Sequence, residues 1–323
     1  MQTVSAFCAA PPNGYRLTAR STAGGHRRTI WLTFLMRAML VVLFVAAIGL
    51  GFGFLAGMGD ARFGGLSVFF LCALIAFAIN WFAFVPAALM RSEKFYDLTG
   101  AATYLTMITV AAVLSAPLDA RASVAALMVA AWAGRLGLFL FTRINKDGHD
   151  RRFNEIKTAP ARFLVAWTLQ ALWTVLTAAC ALAIIVSPQR APLGVFFFVG
   201  AGAWLAGFLI EVVADAQKRA FRADPENADK FINTGLWAWS RHPNYFGEIV
   251  LWTGMAVMAL PVLAGGLWLA LVSPVFVAFL LLKVSGVPLL EKHGREKWGD
   301  DSAYQAYLKR TPTLIPRPPK KNA

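Results

Sequence analysis

Eight separate apolar runs, most of them long enough to cross a bilayer as a helix, limit what this chain can fold into. They cover about residues 30–58, 66–90, 98–117, 122–142, 163–187, 191–214, 245–261 and 265–285. A bilayer's hydrocarbon core takes roughly 20 apolar residues in helical form, and its lack of water forces each segment to satisfy its own backbone polar groups. The sequence therefore predicts an all-α, polytopic membrane protein, in keeping with a composition that is 58% hydrophobic and 15% charged. The third and seventh runs are short, and only "LPVLAGG" separates the last two, so the expected count is about eight spans, within a range of seven to eight.

Charge placement tests that topology, because cytoplasmic loops retain Lys and Arg. With eight spans, one side of the membrane receives the tail 1–29, the loops 91–97, 143–162 and 215–244, and everything from Lys283 onward, and these hold 26 of the 31 Lys and Arg residues. The opposite side holds Arg62, Arg121 and Arg190, and only Arg37 and Arg135 fall inside spans. Both termini are thus expected in the cytoplasm, with a bacterial inner membrane as the expected location. The net charge of +14 is explained by topology and by attraction to anionic lipid, and carries no nucleic-acid meaning.

The three cysteines, Cys8, Cys72 and Cys180, lie too far apart in sequence for metal-ligand spacing or a disulfide framework. Residues 1–29 are read as a disordered basic tail, 30–90 as two N-terminal spans, 91–317 as the functional transmembrane domain and 318–323 as a tail. In the "GLGFGF" run, Gly49, Gly51 and Gly53 superficially suggest a dinucleotide loop, but no strand surrounds them, so close helix packing is the better reading.

Ionisable side chains are costly at membrane depth, so their positions are the first place to look for function. From residue 91 onward they collect on the cytoplasmic side. In "EVVADAQKRAFR", Glu211, Asp215, Arg219 and Arg222 share one helical face, either as a ladder of ion pairs or as a site; Glu211 falls inside the apolar boundary, where a carboxylate needs a partner or a ligand. In "WSRHPNYFGEIVLW", Pro243 suits a first helical turn. That would aim a helix N-terminus, flanked by Arg241 and His242, at the cytosolic side, an arrangement that attracts phosphate. Asn244 and Glu248 share a face, with Tyr245 alongside, and Glu248 is placed to accept from a ribose hydroxyl or a carboxamide. Arg135 lies too deep to reach water easily, and Glu93 and Asp97 are its expected carboxylate partners; Arg143 reads as a snorkelling side chain, followed by Asp150, Arg151 and Arg152. Towards the C-terminus, Glu291, Tyr304 and Tyr307 belong to an ordered cap in which the tyrosines either cover an adenine or anchor at the interface.

Taken together, "NTGLWAWSRHPNYFGEIVLW", "GVPLLEKHG", "YQAYLKRTPTLIP", "RLGLFLFTRI" and "DRRF" resemble the steroid 5-alpha-reductase family, over about residues 91–317. The resemblance implies a helical membrane reductase that binds NADPH among its cytoplasmic helix ends and reduces a conjugated double bond in a lipophilic, steroid-like or isoprenoid substrate. It further implies that Asp215, Arg219, Arg222, Asn244 and Glu248 match cofactor-contacting positions, joined by Arg135 and Arg241, by His242 and Tyr245 of the same motif, and by Glu291 and Tyr307 near the C-terminus. A polarising donor for the substrate carbonyl is expected near Glu93, Tyr96 or Asp97. The sequence departs from the family at Trp132, where steroid-reducing members carry a tyrosine. The "RHPNYFG" core is also similar to isoprenylcysteine carboxyl methyltransferases, which use S-adenosylmethionine, so a methyltransferase stays open as an alternative. A lipid-binding or transport protein is the third reading, opposed by the one-sided placement of polar residues.

Overall fold

The computed structural model describes residues 23–147, 150 and 153–319 and is almost entirely helical. Its helices are α1 (Ala23–Ala56), α2 (Val68–Met90), α3 (Tyr96–Leu114), α4 (Ala120–Asp147), α5 (Pro160–Val186), α6 (Val195–Ala223), α7 (Pro243–Ala259), α8 (Val272–Phe279), α9 (Val287–Trp298) and α10 (Ser302–Arg310). Eight helical stretches are long and apolar enough to cross a membrane, the last being Gly265–Trp298, which runs from a 3-10 turn through α8 and a π-turn into α9. The predicted spans and their number agree with these. Helix α1 begins at Ala23, inside the stretch expected to be a disordered tail, so regular helix continues back through the polar residues 23–29.

Helix α5 is the axis of the bundle: 89% of its most apolar window is buried, against 28% for α6, whose outer face meets lipid. Around α5 pack α1, α2, α3, α4, α7 and α8. Gly49 and Gly53 of α1 lie against Phe77 and Ala73 of α2, where any Cβ would collide, while Gly51 faces open space. The glycine run is thus a packing seam.

Helices α6 and α7 form the most intimate pair in the protein. A Cβ at Gly247 would lie 2.8 Å from the backbone N of Glu211, and one at Gly254 would lie 2.6 Å from that of Trp204. Small residues let backbones touch where lipid supplies no hydrophobic drive for helix association. This crossing decides which side chains of α6 and α7 meet.

At the opposite end of the bundle, Arg121 is 1% exposed and its guanidinium donates to the carbonyls of Met258 (2.8 Å) and Pro192 (2.9 Å). Met258 lies in the last turn of α7, whose carbonyls have no intrahelical partner. A cation on the side that should be poor in cations is therefore a helix cap.

Candidate functional site

Three separate spans contribute to one buried polar cluster. From α4, the Arg135 guanidinium donates to Glu211 and to Asp215, one and two turns along α6 from Gly207, and the Trp132 indole N–H donates to the second Glu211 oxygen at 3.2 Å. From the first turn of α7, the Asn244 amide N–H donates to Asp215 at 3.2 Å. Glu248, one turn deeper, follows Gly247 directly and so flanks Glu211 across the crossing of α6 with α7. Glu211 is 4% exposed and Arg135 20%, so the ion pairs form in a poorly solvated setting, where a charge without a partner is expensive.

This corrects the expected pairing of Arg135. Its partners are Glu211 and Asp215, because the side chain of α4 reaches across to α6 and not to the start of α3. Glu93 instead binds the Lys157 ammonium at 2.8 Å and accepts from the backbone N–H of Asp150 at 2.8 Å. Burial pushes the Glu93 carboxyl up, but Lys157 and that N–H outweigh it and hold it below the usual range. The Tyr96 hydroxyl donates to the Ala166 carbonyl at 2.9 Å, with its ring packed on Phe153 and Trp167, and Asp97 is buried in the first turn of α3, where a carboxylate complements the helix dipole. Glu93 and Tyr96 thus dock Asp150, Lys157 and α5 onto the start of α3.

A second layer closes this end of the bundle. Arg241 forms an ion pair with Glu291 of α9 (2.9 Å) and donates to the Thr313 hydroxyl, while its backbone N–H donates to the Pro312 carbonyl. The segment 311–317 thereby straps the loop before α7, helped by Ser240 donating to the Leu314 carbonyl at 2.7 Å. Glu291 and Tyr307 act in this layer: the Tyr307 hydroxyl donates to the Trp237 carbonyl at 2.8 Å, and Phe231, Tyr304 and Tyr307 pack ring against ring. His242 caps α7, stacked on Tyr245 at 5.5 Å, and both ring nitrogens are buried without a hydrogen-bond partner among the described residues. Burial holds its imidazole below the ordinary value despite the Glu291 carboxylate 3.8 Å away, so it is neutral at pH 7.

Arg219 lies exposed on the C-terminal stretch of α6 with its guanidinium over the Phe139 ring at 5.8 Å, and Arg222 is exposed one turn further on. The side chain of Arg143 and residues Arg151 and Arg152 fall outside the described residues. The sequence reading missed what closes the cluster from below: Tyr104 of α3 and Trp252 of α7 each stack edge-on against Trp132, at 5.2 and 5.1 Å, as a fully buried aromatic floor. Tyrosine and tryptophan among apolar residues look like ordinary interior packing, and only the helix arrangement brings them under Glu211.

The family described as "Protein of unknown function (DUF1295)" matches residues 83–311. Over 61 residues, 19% of this chain, the sequence is 39% identical to 3-oxo-5-alpha-steroid 4-dehydrogenase 1 of Macaca fascicularis and 38% identical to the proteins of the same name from Homo sapiens and Bos taurus. The matched part spans 23% of the first relative's length and 24% of the other two. No solved structure matches. The resemblance to the steroid 5-alpha-reductase family read from the motifs is supported by these findings.

Proposed function

The chain belongs to the family described as "Protein of unknown function (DUF1295)", and from that premise we propose that it is a membrane oxidoreductase that uses NADPH to reduce a carbon–carbon double bond conjugated to a carbonyl in a lipophilic substrate. The observation that carries the reading is the convergence of Arg135, Glu211, Asp215, Asn244 and Glu248 from three spans at one end of the bundle. The relatives named as dehydrogenases of 3-oxo-5-alpha-steroids point to the same chemistry, oxidation and reduction beside a ring ketone, and to a steroid-like or isoprenoid substrate class.

The residues present fit a dinucleotide. Asn244 Oδ1 and both His242 nitrogens are buried without hydrogen-bond partners among the described residues, and α7 begins beside them with Pro243 in its first turn. Space is open beside Gly134, where a Cβ would meet nothing within 4 Å. Asn244, His242 and the exposed Arg219 and Arg222 would hold the polar and phosphate groups, since guanidinium forks suit phosphate. Bound there, NADPH supplies a hydride. The chain's own part is to orient the ligand with the Asp215–Asn244 pair, to exclude water with the Trp132, Tyr104 and Trp252 floor, and to stabilise charge developing on the substrate oxygen with donors fixed in advance.

One observation favours a second reading. Two carboxylates, Glu211 and Asp215, bind the one Arg135 guanidinium and Glu248 follows the glycine packed on Glu211, an acidic balance that also suits the sulfonium of S-adenosylmethionine in a methyltransferase. Thermal unfolding of the detergent-solubilised protein separates the two readings. NADPH is expected to raise the midpoint in a concentration-dependent way, by the mass action of a ligand that binds only the folded state. Stabilisation by S-adenosylmethionine with none by NADPH would reverse the assignment.

A further inference from the structure

We propose that Arg241 is a positioning residue: it clips the C-terminal segment 311–317 to the start of α7, sets Asn244 and His242 in place for the nucleotide, and holds no phosphate itself. The inference rests on the reductase reading for its ligand but not for every arm of its test. A basic residue beside a helix N-terminus is expected to meet phosphate, yet the bonds of Arg241 are of another kind. One terminal nitrogen of its guanidinium forms the ion pair with Glu291 of α9 at 2.9 Å, and the other donates to the Thr313 hydroxyl. A phosphate is taken by a free guanidinium fork. Here both ends of the fork are engaged, and the Glu291 carboxylate beside them would repel an anion.

The start of α7 has need of such a clip. A helix's first turn presents N–H groups without intrahelical partners, which a capping side chain usually satisfies. His242 stands at the N-cap of α7 and makes no side-chain capping bond. The C-terminal segment supplies the order instead. The Arg241 N–H donates to the Pro312 carbonyl at 2.9 Å, and the Arg317 N–H donates to the Trp239 carbonyl at 3.0 Å. Between them Ser240, fully buried, relays the contact: its hydroxyl donates to the Leu314 carbonyl at 2.7 Å and accepts the His242 N–H at 3.1 Å. Two residues beyond His242, Asn244 reaches Asp215 at 3.2 Å and keeps a buried Oδ1 without a partner among the described residues. A bonded path thus runs from the C-terminal segment, through Arg241 and Ser240, to two side chains that the reductase reading turns towards the nucleotide.

The consequence is a loss of affinity that does not depend on which nucleotide is bound. With the clip broken, the first turn of α7 is formed in only a fraction of the molecules, and the apparent affinity falls by that fraction. NADPH and NADH suffer alike, because the missing element is the turn and not a phosphate contact. A residue bound to the 2′-phosphate behaves otherwise: its removal weakens NADPH and spares NADH, which lacks that group.

Two measurements on the full chain in detergent, each with Arg241→Met and Thr313→Val, test the assignment. Without nucleotide, hydrogen exchange of the Arg241, His242 and Phe246 amides should speed up in both variants, by about tenfold in Arg241→Met, as the turn opens locally. In titrations with NADPH and with NADH, Arg241→Met should weaken both nucleotides by a shared factor of about ten, Thr313→Val by a smaller shared factor, and the ratio of the two affinities should stay within about twofold of the parent. Unchanged exchange in both variants would overturn the proposal; so would unchanged affinity for both nucleotides, or a loss confined to NADPH, which would make Arg241 a phosphate ligand. Thr313→Val removes one hydroxyl at the surface and carries both measurements where Arg241→Met fails to fold. A parent protein that binds neither nucleotide, with faster exchange in the variants, sinks the reductase reading and leaves the Arg241 clip on α7 in place.

Discussion

Gly207 of α6 and Gly247 of α7 cross in backbone contact: a Cβ built on either glycine would fall 2.5 Å from the carbonyl oxygen of the other. The contact lies one turn from Glu211 and next to Glu248, so the helix crossing and the carboxylate cluster are one feature. Any side chain at Gly247 must push the helices apart, since the obstructing atoms are backbone. Gly247→Leu is therefore expected to lower stability by about 1–3 kcal/mol or more and to weaken nucleotide binding together with it. Gly202→Ala, at a position with nothing within 4 Å, is the matched control and should change stability by about 0.5 kcal/mol or less. Thermal unfolding with and without NADPH reads both variants.

Arg135 holds two carboxylates, so its replacement leaves both without their cation. Arg135→Met is expected to destabilise the protein by about 3–5 kcal/mol, the usual cost of breaking a buried pair by removing one partner. Arg135→Lys keeps the charge but lacks the planar fork that reaches Glu211 and Asp215 at once, and should fall between the two. A double-mutant cycle of Arg135→Met with Asp215→Asn should show coupling of about 0.5–3 kcal/mol, because the residues share a bond. Additive effects in that cycle would count against the network.

Much of this arrangement was legible in the sequence, for physical reasons that differ from residue to residue. Span positions follow from the length of apolar runs, and Pro243 at the start of α7 follows from a residue that cannot donate an N–H. That Glu211 needed a partner was readable from its depth. Which partner it had was not, because periodicity orders residues along one helix and says nothing about which helix lies opposite. Arg135 was for that reason matched with Glu93 and Asp97, its neighbours in sequence order, when the glycine seam of α6 and α7 had turned Glu211 and Asp215 towards it. The cap residues Glu291 and Tyr307 sit in a recognisable motif, yet their bonds to Arg241 and to the Trp237 carbonyl arise only once the chain folds back on itself.

Arg121 carries a prediction that separates stability from ligand binding. Its guanidinium binds Met258 and Pro192 carbonyls at the end of the bundle away from the carboxylate cluster. Arg121→Met leaves those buried acceptors unpaired, at a cost of about 1–3 kcal/mol, while the affinity for NADPH measured below the unfolding transition should stay within about twofold of the parent protein, a shift of roughly 0.4 kcal/mol. A large change in affinity would mean that this end of the bundle communicates with the cluster.

Glu93 gives a pH dependence whose sign is fixed by its partners. Burial raises its carboxyl, but the Lys157 ammonium and the Asp150 N–H outweigh it, so the folded value lies below the ordinary 4.5. A carboxylate depressed on folding stabilises the native state above the unfolded-chain value, and that contribution disappears as the pH falls through the folded value. Above pH 5 the docking of the 150–159 loop should be insensitive to pH, and below about 4.5 it should loosen progressively as Glu93 takes up a proton and releases Lys157. Glu93→Gln, which keeps the shape but not the charge, should show the loosened behaviour at neutral pH and lose the acid dependence. Hydrogen exchange of the loop amides between pH 3 and 7, corrected for the intrinsic rate, measures both proteins; an equal acid response in Glu93→Gln and in the parent would assign the effect to another group.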